Sequence, residues 1–475
     1  MRIRAQILAL LFLAGCGTDL LSGLRDASFE GEDSSGVFLD LGTPRDSGTA
    51  ADAGDDRDSG LAPDAEGLDA GFVQDAEGPD AGLAPDATAP DATAPDATAP
   101  DAGFATDAGF APDAQACGFD NPGPADKPRV VLIGQPFTTM PSVPGTTLRT
   151  LSLPTSGQLV DVGVRLDVGF KPERIAFVPS GEIAIVLGED GDVASVRVTS
   201  ERVLSVIDRV ALPRGGYGDL HIMADGQTIF ALNEDVGATS GLYTLHMDCD
   251  GRLTQDSAAF YNLRLMSSLA FAGAPDRAVV LGGQAVFAPI DNDDLRIFQR
   301  TNGRWSQTAA FDLWSDAIDA SRIAVSPDGR TLIVPNGSPF STQGGTVMVA
   351  DVSPTAISGP RLLPNMDDAR EAIFSPDGRT ALVTLLQPGR VVVLADRGAG
   401  FVEVSRVSGI GLAEQIAMVS RGTLSGRVIL PSVDSAAGPN VASLEITGPG
   451  MVRDLGQVNL GMTSEDIPGA VAVTP

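Results

Sequence analysis

The chain has 475 residues and a formal net charge of −30, from 32 basic and 62 acidic residues. Its only lysines are Lys127 and Lys171, so it offers no basic face for a phosphate backbone, which argues against a nucleic-acid partner. Three cysteines and two histidines are too few for a zinc cage or a covalently attached haem.

At the N-terminus Arg2 and Arg4 precede an apolar run from Ile7 to Leu13, followed by small residues. The pattern is that of a secretory signal over residues 1–15, too short to span a bilayer as a stable helix. Its ending, Leu13-Ala14-Gly15-Cys16, resembles the lipobox of bacterial lipoproteins. The resemblance implies cleavage before Cys16, acylation of its thiol (palmitate among the acyl chains), and anchoring by several chains where one alone is marginal. Gly17 stands where an aspartate would favour inner-membrane retention, so the resemblance implies the outer membrane, with the head periplasmic or surface-exposed.

Residues 17–116 carry 23 acidic residues against Arg25, Arg45 and Arg57, a net of −20. The composition is dominated by Asp, Ala, Gly and Pro, most clearly in PDATAPDATAPDATAPDAG. With few aromatic or β-branched residues and mutually repelling charges, such a segment cannot offset its chain entropy, so residues 16–116 read as a lipid-anchored, disordered acidic linker. As a flexible coil it spans roughly 55 Å, and up to about 300 Å if fully polyproline-like. Aspartates five apart with intervening prolines cannot converge on one calcium ion.

From Cys117 onward a self-similar unit repeats about every fifty residues. Its best copies are RIAVSPDGRTLIV from Arg322 and EAIFSPDGRTALV from Glu371. Weaker ones begin at Ile175, Leu220, Leu269 and Ile416. Each reads as a short apolar strand, a Pro-Asp-Gly turn and a second, β-branched strand. A third strand such as Gly345–Val352 and a less regular fourth follow. No sustained helical period appears, so residues 117–475 are expected to be all-β, and the period is that of a propeller. The repeats resemble those of YVTN-type and lactonase-like seven-bladed β-propellers, a likeness covering Pro128 to Pro475 that is specific for fold and poor for function. Six internal copies, plus one blade shared between Arg129–Gly134 and Gly469–Pro475, make seven, with the ring closed by terminal strands. Six or eight blades are the alternatives.

Cys117 and Cys249 are the two cysteines left after lipidation, which in an oxidising compartment suggests a disulfide, with two free thiols as the alternative. His221 and His246 fall in strands of the third blade and read as structural; Trp305 and Trp314 read as packing between blades. In a propeller the loops between second and third strands gather at one face of the channel, opposite the Pro-Asp-Gly turns. Those loops carry Glu189, Asp190, Asp192, Glu234, Asp235, Asp291, Asp293, Asp294 and Asp434, with Phe137 and Phe340 as apolar elements. An acidic mouth suits a cationic partner, with Asp291, Asp293 and Asp294 as candidate calcium ligands; general acidity of the protein explains the same loops without a ligand. No other cofactor is indicated. The expected function is a binding or interaction scaffold for a protein or small molecule, displayed on a flexible stalk. The alternatives are a lactonase-like hydrolase using the propeller channel and a calcium-dependent adhesion module. A redox propeller is disfavoured because Cys-x-x-Cys-His is absent.

Overall fold

The computed structural model describes residues 117–475, less 139–143, 235–238, 240, 263–265, 272–275, 283–294, 302–303, 312–321, 338–344, 387–388, 435–437 and 462–465. The signal, Cys16 and the linker therefore lie outside the described residues, as do Asp235, Asp291, Asp293, Asp294, Trp314 and Phe340. Among the described residues all regular structure is β, arranged as seven antiparallel sheets around one ring. Blades 2 to 7 span residues 172–211, 217–262, 266–311, 324–363, 369–408 and 417–459, each a four-stranded meander. Blade 1 is built from both ends of the fold: Ala470–Val473 pairs with Arg129–Thr138, which continues into Pro144–Leu153 and Val160–Asp167.

The turn chemistry explains the first hairpin of each blade. In blade 5 the Ser326 hydroxyl donates to Asp328 Oδ1 at 2.6 Å and accepts from the Thr331 amide at 2.9 Å. Ser375, Asp377 and Thr380 repeat those bonds in blade 6. Gly329 and Gly378 close the two turns at φ of 72° and 68°, a conformation that side chains with a Cβ rarely adopt.

Burial follows from position in the blade. The second strands Ile183–Gly188, Thr228–Asn233 and Thr380–Leu385 are buried at every residue, because neighbouring blades cover both of their faces. The outermost strand Val203–Ala211 instead alternates exposed and half-buried positions. Apolar clusters fill the spaces between blades, as where Ile185 and Leu187 of blade 2 meet Leu220 and Ala231 of blade 3. In all seven blades the register slips where the outermost strand pairs with the third, between Arg149 and Leu151 in blade 1 and at matching places in the others. Such bulges twist an edge and blunt its capacity to pair with another chain.

Ahead of blade 1, residues 117–128 form a strap on the face that carries the Pro-Asp-Gly turns. Cys117 is disulfide-bonded to Cys249 in the outer turn of blade 3. Phe119 is buried, and its carbonyl accepts from the Ser180 amide of blade 2 at 2.8 Å. Arg129, fully buried where the strap enters blade 1, donates to Ala125, Arg421 and Pro475 carbonyls. Gly422 of blade 7 must be glycine, since a Cβ there would lie 1.9 Å from the Ala125 carbonyl oxygen.

Candidate functional site: a charged ring at the channel mouth

Counting back seven residues from the turn glycines 181, 226, 329, 378 and 422 gives Arg174, Asp219, Arg322, Glu371 and Gln415. Ser268 and Gly469 hold the matching place in blades 4 and 1, ahead of Leu269 and Ala470. Arg174, Asp219, Ser268 and Glu371 are the third residues of their innermost strands and Arg322, Gln415 and Gly469 stand one or two residues ahead of theirs, so the repeat delivers one from every blade to the same end of the channel.

Hydrogen bonds link this layer from blade to blade. Arg174 Nε donates to the Gly218 carbonyl of blade 3 at 2.6 Å. Asp219 Oδ2 accepts from Ser268 Oγ at 3.0 Å and the Leu269 amide at 2.8 Å, both of blade 4. Ser268 Oγ accepts from the Ile323 amide of blade 5 at 2.9 Å. Arg322 and Glu371 form a parallel backbone bridge between blades 5 and 6. The Thr384 hydroxyl bonds the Glu371 backbone and donates to the Glu414 carbonyl of blade 7 at 3.3 Å. Gln415 Nε2 donates to the Glu173 carbonyl at 2.8 Å, reaching from blade 7 over blade 1 to blade 2.

The charged members also meet across the axis. Arg174 of blade 2 lies 3.9 Å from Glu371 Oε2 of blade 6. Arg322 of blade 5 lies 3.5 Å from Glu371 and 3.7 Å from Asp219 of blade 3. Asp219, Glu371 and Arg174 are buried, while the Arg322 side chain is 32% exposed and is the ring cation most open to the mouth. Burial alone would raise Asp219, but His221, Arg322 and Arg174 outweigh it and hold that carboxyl below the ordinary range. For Glu371 burial prevails over Arg322 and Arg174, and its carboxyl is pushed up. Burial likewise raises the half-buried Glu173, with Glu414 and Glu189 adding to the rise against Lys171 and Arg174.

The acidic loops lie at this same end. Glu189 pairs with Lys171, and its carbonyl accepts from the Tyr217 amide at 2.9 Å. Glu234 sits over Gly218: a Cβ at 218 would fall 1.4 Å from Glu234 Oε1, so only glycine admits the carboxylate there. Asp190 is exposed and Asp192 is half-buried at the start of a blade 2 strand. Asp434 ends the blade 7 strand Arg427–Asp434, opposite Gly438, and Phe137 pairs with Pro144 in blade 1. No group of three or more metal-ligating side chains occurs among the described residues. The calcium candidates Asp291, Asp293 and Asp294 lie outside them.

His221 Nε2 is 3.3 Å from Asp219 Oδ1 without hydrogen-bond alignment, and its ring meets Phe271 edge-on at 5.4 Å. His221 is thus packed between blades 3 and 4, beside the ring residue Asp219. His246 lies further out in blade 3, 3.6 Å from Asp256. Trp305 packs against Phe230 and Phe271 between blades 3 and 4.

The chain is a seven-bladed β-propeller whose channel carries a ring of opposed charges at one mouth. No protein-family model matches it, and no curated protein does. Among solved structures it resembles the periplasmic gluconolactonase of Pseudomonas aeruginosa, with 17% identity, a TM-score of 0.55, and coverage of 74% of this chain and 99% of that one. It also resembles a protein of Bacteroides uniformis provisionally assigned as a 6-phosphogluconolactonase, with 14% identity, a TM-score of 0.55, and coverage of 73% and 99%. At these identities the likeness establishes the fold.

Replacing Asp219 by Asn removes the charge facing Arg322, whose side chain is one-third exposed, and weakens the bonds from Ser268 and Leu269, at a cost of about 1–3 kcal/mol. Because the folded carboxyl titrates below its unfolded value, its contribution is present at neutral pH and is lost as pH falls below about 4. Urea unfolding should therefore show a large wild-type advantage at pH 7 that shrinks in acid. A gap that does not change with pH would contradict the assignment.

Proposed function

We propose that the propeller hydrolyses small cyclic esters of the lactone type at the charged mouth. The reading rests on the charged mouth, where Arg322 is the most open ring cation and Glu173, tied through its carbonyl to Gln415 beside ring residue Arg174, carries a carboxyl whose proton affinity burial raises. A carboxyl of raised proton affinity is a stronger base once ionised, which suits it to take a proton from water. In this scheme the water oxygen bonds to the lactone carbonyl carbon while Glu173 accepts its proton. Arg322, the more open ring cation, balances the negative charge that develops on the carbonyl oxygen. The ring C–O bond then breaks, and the leaving oxygen recovers the proton from Glu173. The solved structures that share the fold include a gluconolactonase, which moves this reading ahead of the scaffold expected from sequence.

The scaffold reading draws support from a different observation. Much of the ring's charge is spent on neighbouring blades and across the axis, as a purely structural ring would also require. In either reading we assign Cys16 to the lipid anchor and residues 16–116 to the tether, with the head in the cell envelope. Palmitate labelling that persists in Cys16→Ser would remove the anchor from this account.

Opening of glucono-1,5-lactone and its 6-phosphate, followed by pH-stat, separates the two readings. The hydrolase reading expects turnover above the buffer rate. It also expects Glu173→Gln to lower kcat/KM by about 10²–10⁴-fold and Arg322→Met by about 10²-fold or more. Wild-type protein that leaves both lactones at the buffer rate would reject lactone hydrolysis in favour of the scaffold.

A further inference from the structure

Closing a ring of blades leaves one seam, here the two flanks of blade 1, whose innermost strand is only the four residues Ala470–Val473. The strap 117–128 crosses that seam on the turn face. Arg421 of blade 7 donates to the Gly123 carbonyl at 3.2 Å, and the Thr423 amide donates to Asp126 Oδ1 at 3.1 Å. In blade 1 Arg129 holds Ala125, and in blade 2 the Ser180 amide holds Phe119. At blade 3 Gln227 donates to Cys117 Sγ at 2.9 Å and the disulfide joins Cys117 to Cys249. One short segment thus ties blades 7, 1, 2 and 3 together, bracing both sides of the closure at once. At the opposite mouth the same seam is bridged by Gln415, which donates to the Glu173 carbonyl.

We propose that the strap and its disulfide form a redox-sensitive latch on the closing seam of the propeller. Residues 120–126 are exposed, so apart from Phe119 the strap has little apolar burial to keep it seated. The covalent bond at its far end keeps Phe119 and the polar contacts at high local concentration. Reduction takes two electrons and two protons from a dithiol, which leaves as its own disulfide, and yields thiols at Cys117 and Cys249. The strap then detaches by local opening, and the seam loosens while blades 4 and 5, which it does not touch, keep their protection.

The test is amide hydrogen exchange on the folded full-length chain, oxidised and then reduced with dithiothreitol, with Cys249→Ser as a second route to the open state. Expected is at least a tenfold faster exchange at Ser180, Thr423 and Ala470–Val473, with no change in Thr331–Asn336 of blade 5. Asp126→Ala, with the disulfide intact, should accelerate Thr423 alone. Unchanged exchange at Ala470–Val473 after reduction would overturn the latch, since the bond would then act only on the unfolded chain. Equal acceleration in all seven blades would also overturn it, marking the bond as a general staple. If Cys249→Ser does not fold, reduction of the already folded chain still gives one of these results.

Discussion

A sheet structure bent into a ring has to be sewn shut somewhere, and here the C-terminal segment does it along Arg129–Thr138, with Val131–Val473 through Gly134–Ala470 and then Phe137–Ile467 and Thr138–Asp466. Gly134 makes the fit possible: a Cβ there would lie 2.8 Å from the Ala470 side chain and 3.1 Å from Pro172. The closure couples the two ends of the fold and brings blade 7 beside blade 1. Every cross-axis contact depends on it, because side chains from blades 2, 3, 5 and 6 converge only when the circle is complete. The loop it closes is most of the head. That costs conformational entropy which no local contact repays, so reinforcement by the strap and its disulfide is physically reasonable.

The second consequence of closure is electrostatic. Seven innermost strands begin around one narrow axis, and the sequence places two arginines and two carboxylates among those seven positions. Taken out of water, such charges need partners, and the structure supplies them from neighbouring blades and from across the axis. The outcome is uneven. Asp219 is surrounded by donors and stays ionised, whereas Glu371 and Glu173 are held toward the neutral form by burial. Carboxyls pushed in opposite directions within one mouth are the arrangement acid–base chemistry requires, and also one that a rigid polar plug can tolerate.

The fold was legible from the sequence because its signal is local and repeated. The Ser-Pro-Asp-Gly turns around Asp328 and Asp377, the β-branched second strands, and the split blade shared by Arg129–Gly134 and Ala470–Val473 can all be read along the chain. The disulfide partners were open to elimination, given only Cys117 and Cys249 after Cys16. The ring was harder to see. Arg174, Asp219, Arg322 and Glu371 are scattered over nearly two hundred residues, and each alone looks like an ordinary polar residue ahead of a strand. Aligning the repeats on their turn glycines is the signal that could have found them. The acids of the second-to-third strand loops are more numerous and stand out first along the chain; of these, Glu189 and Glu234 do sit beside the ring. His221, read as a structural strand residue, lies against Asp219 because blade 3 delivers position 219 to the mouth and 221 two residues below it.

The central claim is that charges from opposite blades satisfy one another across the axis. A double-mutant cycle on Asp219 and Arg322, using Asp219→Asn, Arg322→Met and the pair, measured by urea unfolding at pH 7, where Asp219 is ionised, tests it directly. Residues of blades 3 and 5 share no sheet, so a coupling of about 1 kcal/mol or more is predicted only if they interact at the channel mouth. Additivity within about 0.5 kcal/mol would contradict the account and reduce the ring to seven independent strand starts.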